Sequence, residues 1–184
     1  INAYDIGPGN CMIDEWIRKN SKKKYDKDGL IAQSGMTDKL ILNQALENFE
    51  ENSTYTKSLD IKDFDIFFAK GLSLENGAST ITNFTATLIA NGMKHANRMR
   101  QSIIYKWLVC GGGRKNKYLL EGIKNSFEKI SIEPIDQYEI DGDFVESQAF
   151  GYLAIRSFLK LPISFPSTTG CKEPSTGGVL VENF

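Results

Sequence analysis

Apolar residues recur three or four positions apart in several stretches of the chain, the spacing typical of helices that bury one face. Thr37 precedes one such stretch and has a side chain suited to capping a helix. The predicted helices are a short one between Asn10 and Lys22 and those over residues 37–50, 62–69, 78–99, 116–126 and 143–160. The last helix is expected to turn an apolar stripe inward, formed by Phe150, Leu153, Ala154 and Phe158.

Runs of β-branched and aromatic residues, which favour strands, lie between these stretches. Strands are predicted at residues 102–110, 129–135 and 179–181, and Tyr4 to Asn10 has the pattern of a strand that ends in a turn. Because Ile1 already fits that strand, the chain is expected to begin within a fold. Strands that alternate with helices indicate an α/β lobe.

The composition excludes several classes of function. The 184 residues carry a net charge of −1, so the chain as a whole does not attract nucleic acid or an acidic membrane surface. No apolar run approaches the roughly 20 residues that span a bilayer. The cysteines Cys11, Cys110 and Cys171 lie far apart without paired spacing, which argues against a disulfide framework and a zinc site and favours a reducing cytoplasm.

The segment Asp5-Ile6-Gly7-Pro8-Gly9-Asn10 places a carboxylate at a strand end, before a glycine turn that leads into a helix. Glycines let the backbone approach a ligand, and the amides of the turn and of the helix N-terminus point toward it. The segment therefore predicts an anion site, with Asp5 facing the same pocket. A turn in which Asp5 only satisfies nearby amides explains the pattern equally well.

A second candidate is Cys110-Gly111-Gly112-Gly113, followed by Asn116. Three successive glycines after a buried strand leave a surface without side chains, which suits a planar ring or a phosphate. Close packing of a helix on a strand at a tight turn is the alternative, and the pattern alone slightly favours it.

A third candidate, residues 141–146, opens the last predicted helix. Asp143 and Glu146 have the spacing of a capping box, which alone accounts for both acids. Helical geometry also puts Glu146 one turn before Phe150, on the inward stripe. Asp5 and Glu146 could together perform acid–base chemistry at a glycosidic centre if the fold brings them together.

Taken in chain order, several segments resemble the C-terminal half of the anhydro-N-acetylmuramic acid kinases: DIGPGN, KSLD, ENGASTITNFTA, CGGGRKN, IDGDFVESQAFGYLA and PSTGG. The resemblance implies an actin-like ATPase (ribonuclease H-like) lobe with a mixed sheet flanked by helices, and residues 1–184 would form the single C-terminal lobe of a two-lobed sugar kinase. It also implies ATP and Mg²⁺ as cofactors. Water would open the 1,6-anhydro ring of anhydro-N-acetylmuramic acid, and O6 would then be phosphorylated during peptidoglycan recycling.

The same resemblance implies roles for particular residues. Asp5 matches the family's catalytic base, which takes a proton from the attacking water, and Glu146 matches a second active-site acid. No metal ligand is implied. The residues that match positions near the nucleotide, its phosphates and the sugar are Gly7, Gly9, Asn10, Gly111, Gly112, Gly113 and Asn116.

The sequence departs from the family's pattern in several places. Ile6, Ile61 and Asn76 stand where the family usually has Thr, a basic residue and Asp. The family's N-terminal phosphate loop, of the form G-T-S-x-D-G, has no counterpart, so the chain alone is expected to have little or no kinase activity. A separately made N-terminal lobe is therefore an expected partner, and a homodimer is a further option.

Other interpretations stay open. The chain could be a non-catalytic remnant that binds ligand weakly, a sugar-binding or regulatory module without chemistry, or a kinase of the same fold that acts on another sugar. Phosphorylated sugar formed on mixing with an N-terminal lobe would exclude the remnant. Binding of a muramic sugar without dependence on ATP would indicate the module.

Overall fold

The computed structural model describes residues 5–52, 59–99 and 103–181. Two compact units are present, one from Asp5 to Gly142 and the other including Asp143–Phe184. The elements of the first unit are α1 (Cys11–Asn20), α2 (Leu30–Ser34), α3 (Lys39–Asn52), α4 (Leu74–Met99), β1 (Lys106–Val109), α5 (Lys117–Lys124) and β2 (Ser131–Pro134). Those of the second unit are α6 (Val145–Phe158) and α7 (Pro166–Thr169). Among the described residues, no helix combines the length and the apolar character needed to cross a membrane.

Helix α4 is the centre of the first unit. Trp16 of α1 lies across it, and its indole nitrogen donates a hydrogen bond to the carbonyl of Leu74 at 2.9 Å. A Cβ atom at Gly77 would overlap the Trp16 ring, so glycine is required where the two helices touch. The buried residues of this part of the core are Met12, Ile13, Trp16, Ile17, Ala32, Ala45, Ile66, Ala69, Ala78, Ile81, Phe84 and Leu88.

The other side of α4 carries α5 and the sheet. Gly122 of α5 packs against Ala86, where an added Cβ would lie 2.8 Å from the alanine side chain. Strands β1 and β2 pair in parallel, with Trp107 opposite Ile132. The buried residues on this side are Ala86, Ala90, Met93, Leu119, Ile123 and Ile132. The apolar spacing of the helix predicted over residues 78–99 made Phe84, Leu88 and Met93 core candidates, and all three are buried.

A cluster of polar side chains joins α5 to α4 and to the start of α3. The Tyr118 hydroxyl lies 3.0 Å from the Ser79 hydroxyl and accepts a hydrogen bond from Asn83 at 3.1 Å. Asn83 also donates to the Thr37 hydroxyl at 2.8 Å. Although burial raises the pKa of Tyr118, the hydrogen bonds with Ser79, Thr37 and Asn83 outweigh it and leave the pKa below its ordinary value.

Several predicted boundaries are corrected. Asp38 rather than Thr37 caps α3, because its Oδ1 accepts a hydrogen bond from the Ile41 amide at 3.0 Å. Helix α4 begins at Leu74, four residues before the predicted start, because the Ser73 hydroxyl caps it by accepting a hydrogen bond from the Asn76 amide at 3.2 Å. The helix predicted over residues 62–69 is two separate 3₁₀ turns, Ile61–Asp63 and Phe67–Ala69.

The sheet is smaller than the mixed sheet predicted from the sequence. In the described part of the chain it has two strands, and they are parallel. Residues 179–181 are not a strand, and their apolar side chains are exposed. The strand predicted at Tyr4 begins outside the described residues, and residues 5–10 form no strand.

The main helix of the second unit, α6, is poorly covered. No residue of α6 is buried, and Phe150 and Phe158 of the predicted inward stripe are 63% and 70% exposed. Glu146 is likewise exposed instead of facing inward. The segment that follows is tied to α6 by a hydrogen bond from Arg156 Nε to the Pro162 carbonyl at 2.7 Å.

The capping box predicted at the start of α6 is not observed. Phe144 occupies the N-cap position, without a side-chain hydrogen bond to the helix. Asp143 therefore stands one residue too early to cap α6, and Glu146 lies in the first turn.

Candidate functional site

The loop from Asp5 to Asn10 rests on helix α4. Ile6 fills the space beside Gly92, where an added Cβ would lie 2.5 Å from the Ile6 side chain. Ile6 thus makes an apolar contact at a position where the family that the chain resembles usually has Thr. Asp5 is exposed, and its backbone carbonyl accepts a hydrogen bond from the Leu59 amide at 3.2 Å. The loop is therefore anchored by its backbone and by Ile6.

The turn that follows leads directly into α1. Pro8 accepts a hydrogen bond from the Cys11 amide at 3.1 Å, and the Asn10 carbonyl accepts one from the Asp14 amide at 2.8 Å. Gly9 has a φ of 55°, in the left-handed region that favours glycine, and no atom lies within 4 Å of a Cβ built on it. The surface at Gly9 is therefore open toward a ligand.

The triple-glycine bend is open in the same way. Gly111 has a φ of 70°, and neither it nor Gly113 has a neighbour within 4 Å of an added Cβ. Gly112 has one, the Asn10 side-chain nitrogen at 4.0 Å. Close packing of a helix on a strand, the alternative that the pattern slightly favoured, is not found at these three glycines. The bend presents a bare backbone surface.

Asn116 joins the bend to the first loop. Its side-chain oxygen caps α5 by accepting a hydrogen bond from the Leu119 amide at 3.0 Å, while its side-chain nitrogen donates to the Asn10 oxygen at 3.3 Å. Gly29 packs directly behind the Asn116 oxygen. Because Asn116 is only 4% exposed, its immediate task is to hold the two loops together. Direct contact with a nucleotide stays a prediction.

Two ionisable groups at the start of α1 have raised pKa values. Burial raises the pKa of the Cys11 thiol, so at neutral pH it stays protonated and is a weak nucleophile. Burial also raises the pKa of Asp14, against the opposing charge of Arg18. Neither group was a sequence candidate, and the protonated Cys11 thiol lacks the properties of a catalytic nucleophile.

The remaining candidates are placed as follows. Glu146 lies on α6 in the second unit, and its pairing with Asp5 stays a prediction. The side-chain oxygen of Asn76 accepts a hydrogen bond from the Met36 backbone amide at 2.9 Å, so this side chain has a structural role. The side chain of Ile61, and residues 57–58 of the KSLD segment, lie outside the described part of the chain.

Sequence reasoning missed one charged residue beside the bend, Arg114. Its guanidinium group is bonded to Asp136, which lies 22 residues further along the chain. No short spacing links these two residues, so only the fold could reveal the pair. Within residues 5–52, 59–99 and 103–181, no group of three or more His, Cys, Asp or Glu side chains is arranged to hold a metal ion.

Two glycine loops that meet beside the starts of two helices are typical of α/β proteins that bind phosphorylated ligands. The family model for anhydro-N-acetylmuramic acid kinase matches residues 1–183. The chain belongs to the anhydro-N-acetylmuramic acid kinase family, whose members are by name phosphotransferases.

Individual relatives agree with this assignment. An anhydro-N-acetylmuramic acid kinase of Pelagibacter ubique is 50% identical over 186 residues, covering 100% of this chain and 50% of the relative. Those of Rhizorhabdus wittichii and Zymomonas mobilis are 41% and 38% identical, covering 96% of this chain and 47% of each relative. The chain thus spans about half the length of the curated relatives it matches.

Proposed function

We propose that this chain is the C-terminal half of an ATP-dependent kinase with a two-lobed, actin-like fold. The kinase hydrolytically opens the 1,6-anhydro ring of anhydro-N-acetylmuramic acid and phosphorylates O6, and it works in peptidoglycan recycling. A cytoplasmic location is part of the proposal, because all three cysteines are free thiols.

The observation that carries the proposal is the junction of the two loops. Asn10 and Asn116 are 106 positions apart in the chain, and their side chains are 3.3 Å apart. The open glycines Gly9, Gly111 and Gly113 belong to these same two loops. Ordering a glycine costs more conformational entropy than ordering any other residue. At these positions no protein atom occupies the space of a side chain, so the close approach of a ligand would explain why glycine is present.

The residues divide the work by position. The bare backbone of Gly111–Gly113 would receive the planar adenine and ribose, and the turn at Gly7 and Gly9 would direct its amides at phosphate or sugar oxygens. Asp5 would accept a proton from the water that attacks the anomeric carbon. Bound with ATP, Mg²⁺ would neutralise charge on the phosphates. Asn10 would keep the turn at a fixed distance from the bend.

Glu146 is proposed as a second acid of the site. It lies in the first turn of α6 with an exposed side chain, so its carboxylate is accessible to a ligand. This role requires that the assembled kinase bring α6 to the sugar.

Reconstitution tests the proposal. We would mix this chain with the half of the Pelagibacter ubique relative that it does not span, and measure sugar 6-phosphate formation and ATP consumption. Activity is expected from the mixture and not from this chain alone. The Asp5→Asn variant should lose about 10²- to 10⁴-fold in turnover, the range for removing a general base.

The matched control is Asp65→Asn, an exposed aspartate whose side chain accepts a hydrogen bond from the Phe67 amide. It should turn over like the wild type, since asparagine keeps that acceptor. Full activity of Asp5→Asn would contradict the assignment of the base. Normal turnover by this chain alone would contradict its dependence on a second half.

A non-catalytic fragment that binds ligand weakly is the second candidate. The exposed α6 helix favours it, because apolar side chains such as Phe150 and Phe158 are largely exposed. No sugar phosphate from the mixture, together with measurable ATP binding by this chain, would support this candidate over the half-enzyme.

A further inference from the structure

Arg114 follows the triple glycine directly, and its side chain is turned into the protein. It lies in the 3₁₀ turn Gly112–Lys115, and the side chain is only 6% exposed. Nε and one terminal nitrogen of the guanidinium group donate to the two carboxylate oxygens of Asp136 at 2.7 and 3.0 Å. The other terminal nitrogen donates to the Gly111 carbonyl at 3.0 Å. Such two-point pairing with a carboxylate is the strongest form of side-chain hydrogen bond.

The contacts close into a ring. Asp136 Oδ1 also accepts a hydrogen bond from the Gly142 amide at 3.3 Å, and the Gly142 carbonyl accepts one from the Gly111 amide at 2.8 Å. Gly142 is tightly packed, since a Cβ there would lie 2.5 Å from Arg114 Nε. Both the amide and the carbonyl of Gly111 are thereby hydrogen-bonded within the protein.

This ring replaces the packing that the glycine bend lacks. Gly111 and Gly113 have no neighbour where a side chain would stand, so side-chain contacts do not order them. An unrestrained glycine loses more backbone freedom on ordering than any other residue, and a ligand would have to offset that cost. A loop that is already ordered in the free protein binds a ligand more tightly, because binding does not have to offset the entropy lost on ordering the loop.

We propose that Arg114 is a positioning residue for nucleotide binding, which holds the backbone of Gly111–Gly113 in the open form that receives the nucleoside. The inference rests on the proposed function, because it assumes that the bend binds ATP. Arg114 itself does not contact the ligand; it acts through Gly111 and Asp136. The low pKa of Asp136, whose main cause is the hydrogen bonding to Arg114, keeps the carboxylate charged and the ring closed at neutral pH.

The experiment uses the full chain and three variants, Arg114→Ala, Arg114→Lys and Asp136→Ala. Hydrogen exchange of residues 111–113 is measured without ligand, and affinities for ATP and ADP are measured by calorimetry. Arg114→Ala should speed exchange at the bend and weaken both nucleotides about tenfold. The loss should be equal for ATP and ADP, because the ring acts at the nucleoside end.

Arg114→Lys tests geometry separately from charge. A lysine keeps the positive charge but cannot bond both carboxylate oxygens and the Gly111 carbonyl in one plane, so it should recover only part of the affinity. The double variant Arg114→Ala with Asp136→Ala should be no weaker than either single variant, since all three break the same ring.

Lys19→Ala is the matched control. Lys19 pairs with Glu15 at 2.6 Å on the exposed face of α1. This variant should leave both exchange at residues 111–113 and nucleotide affinity unchanged. Slow exchange in α4 of every variant would show that the fold is intact.

The outcomes separate the two ideas. Unchanged exchange at the bend in Arg114→Ala and Asp136→Ala would overturn the positioning role, as would faster exchange with unchanged affinity. Failure of the wild-type chain, mixed with the other half of the kinase, to bind ATP or ADP at millimolar concentration would contradict the proposed function first, and with it the nucleotide role of Arg114.

Discussion

The side-chain nitrogen of Asn116 donates a hydrogen bond to the side-chain oxygen of Asn10 at 3.3 Å, across 106 positions of sequence. Asn116 is simultaneously the N-cap of α5. One buried side chain thus begins a helix and ties the two glycine loops to each other. The two tasks can be separated by mutation.

We expect Asn116→Ala to lower the free energy of unfolding by about 1–2 kcal/mol, the range for losing a helix cap. Asn116→Ser should recover most of this loss, because serine also caps helices, but its shorter side chain should not reach Asn10. Urea denaturation measures the change in stability, and hydrogen exchange in residues 7–10, which should be faster, measures the loss of the contact with Asn10.

Asn125→Ala, at an exposed site just after α5, serves as the control and should change stability by less than about 0.5 kcal/mol. Equal exchange in the serine variant and the wild type would show that Asn10 does not depend on Asn116.

Gly113 tests whether the bend serves a ligand or the fold. Because no atom lies within 4 Å of an added Cβ, Gly113→Val should change the free energy of unfolding by less than about 0.5 kcal/mol. The new side chain would occupy the space assigned to the nucleotide, so ATP affinity should fall at least about tenfold, roughly 1.4 kcal/mol.

Gly77→Ala is the opposite case. Its Cβ would overlap the Trp16 ring, and overpacking of this kind costs about 1–3 kcal/mol. Its affinity for ATP should not change. A Gly113 variant that unfolds easily and still binds ATP normally would reverse the assignment.

The pairing of Asp136 with Arg114 makes a prediction about pH. Hydrogen bonding to Arg114 holds the pKa of Asp136 below its usual value, which is about 3.9 in an unfolded chain. A carboxylate whose pKa is lower in the folded chain than in the unfolded chain contributes its full stabilisation at pH values above the unfolded-state pKa. That contribution is lost as the pH falls through the folded-state pKa. The stability difference between the wild type and Asp136→Asn should therefore be constant from pH 7 to about pH 5 and shrink below about pH 4. Thermal unfolding across this range measures it, and a difference that grows as pH falls would contradict the pairing.

The exposed face of α6 predicts where substitution is tolerated. Phe150→Ser should change the free energy of unfolding by less than about 0.5 kcal/mol, because the side chain is largely in water already. It should also reduce self-association, which analytical ultracentrifugation can measure. Phe84→Ala, in the core, should by contrast cost about 3–5 kcal/mol. A large stability loss in Phe150→Ser would mean that α6 is covered in solution.

The elements that the sequence predicted well are those whose signal is local. The apolar spacing of Ile13, Trp16 and Ile17 predicted the short helix after Asn10, and all three are buried in α1. Strand β1 lies inside the strand predicted at residues 102–110, because β-branched and aromatic residues favour an extended backbone. The glycine loops were found for the same reason, since Gly9 and Gly111 do adopt positive φ.

The features that could not be predicted from the sequence depend on contacts between residues far apart in the chain. Gly77 has the pattern of a loop, and only Trp16 of another helix explains a glycine inside α4. The stripe on α6 was predicted to be buried because periodicity assumes a facing surface, and residues 159–181 do not provide one. The bond between Arg114 and Asp136 joins positions whose spacing matches no local motif.

Helix α4 carries both halves of the candidate site. The first loop is seated on it through Ile6 and Gly92, and the α5 helix that follows the bend is seated through Gly122 and Ala86. A single helix is stiff over its length, so the two loops are attached to one rigid element. In the proposed kinase, a motion that closes one lobe over the other would therefore carry the loop of residues 5–10 and the triple-glycine bend together, leaving their spacing unchanged.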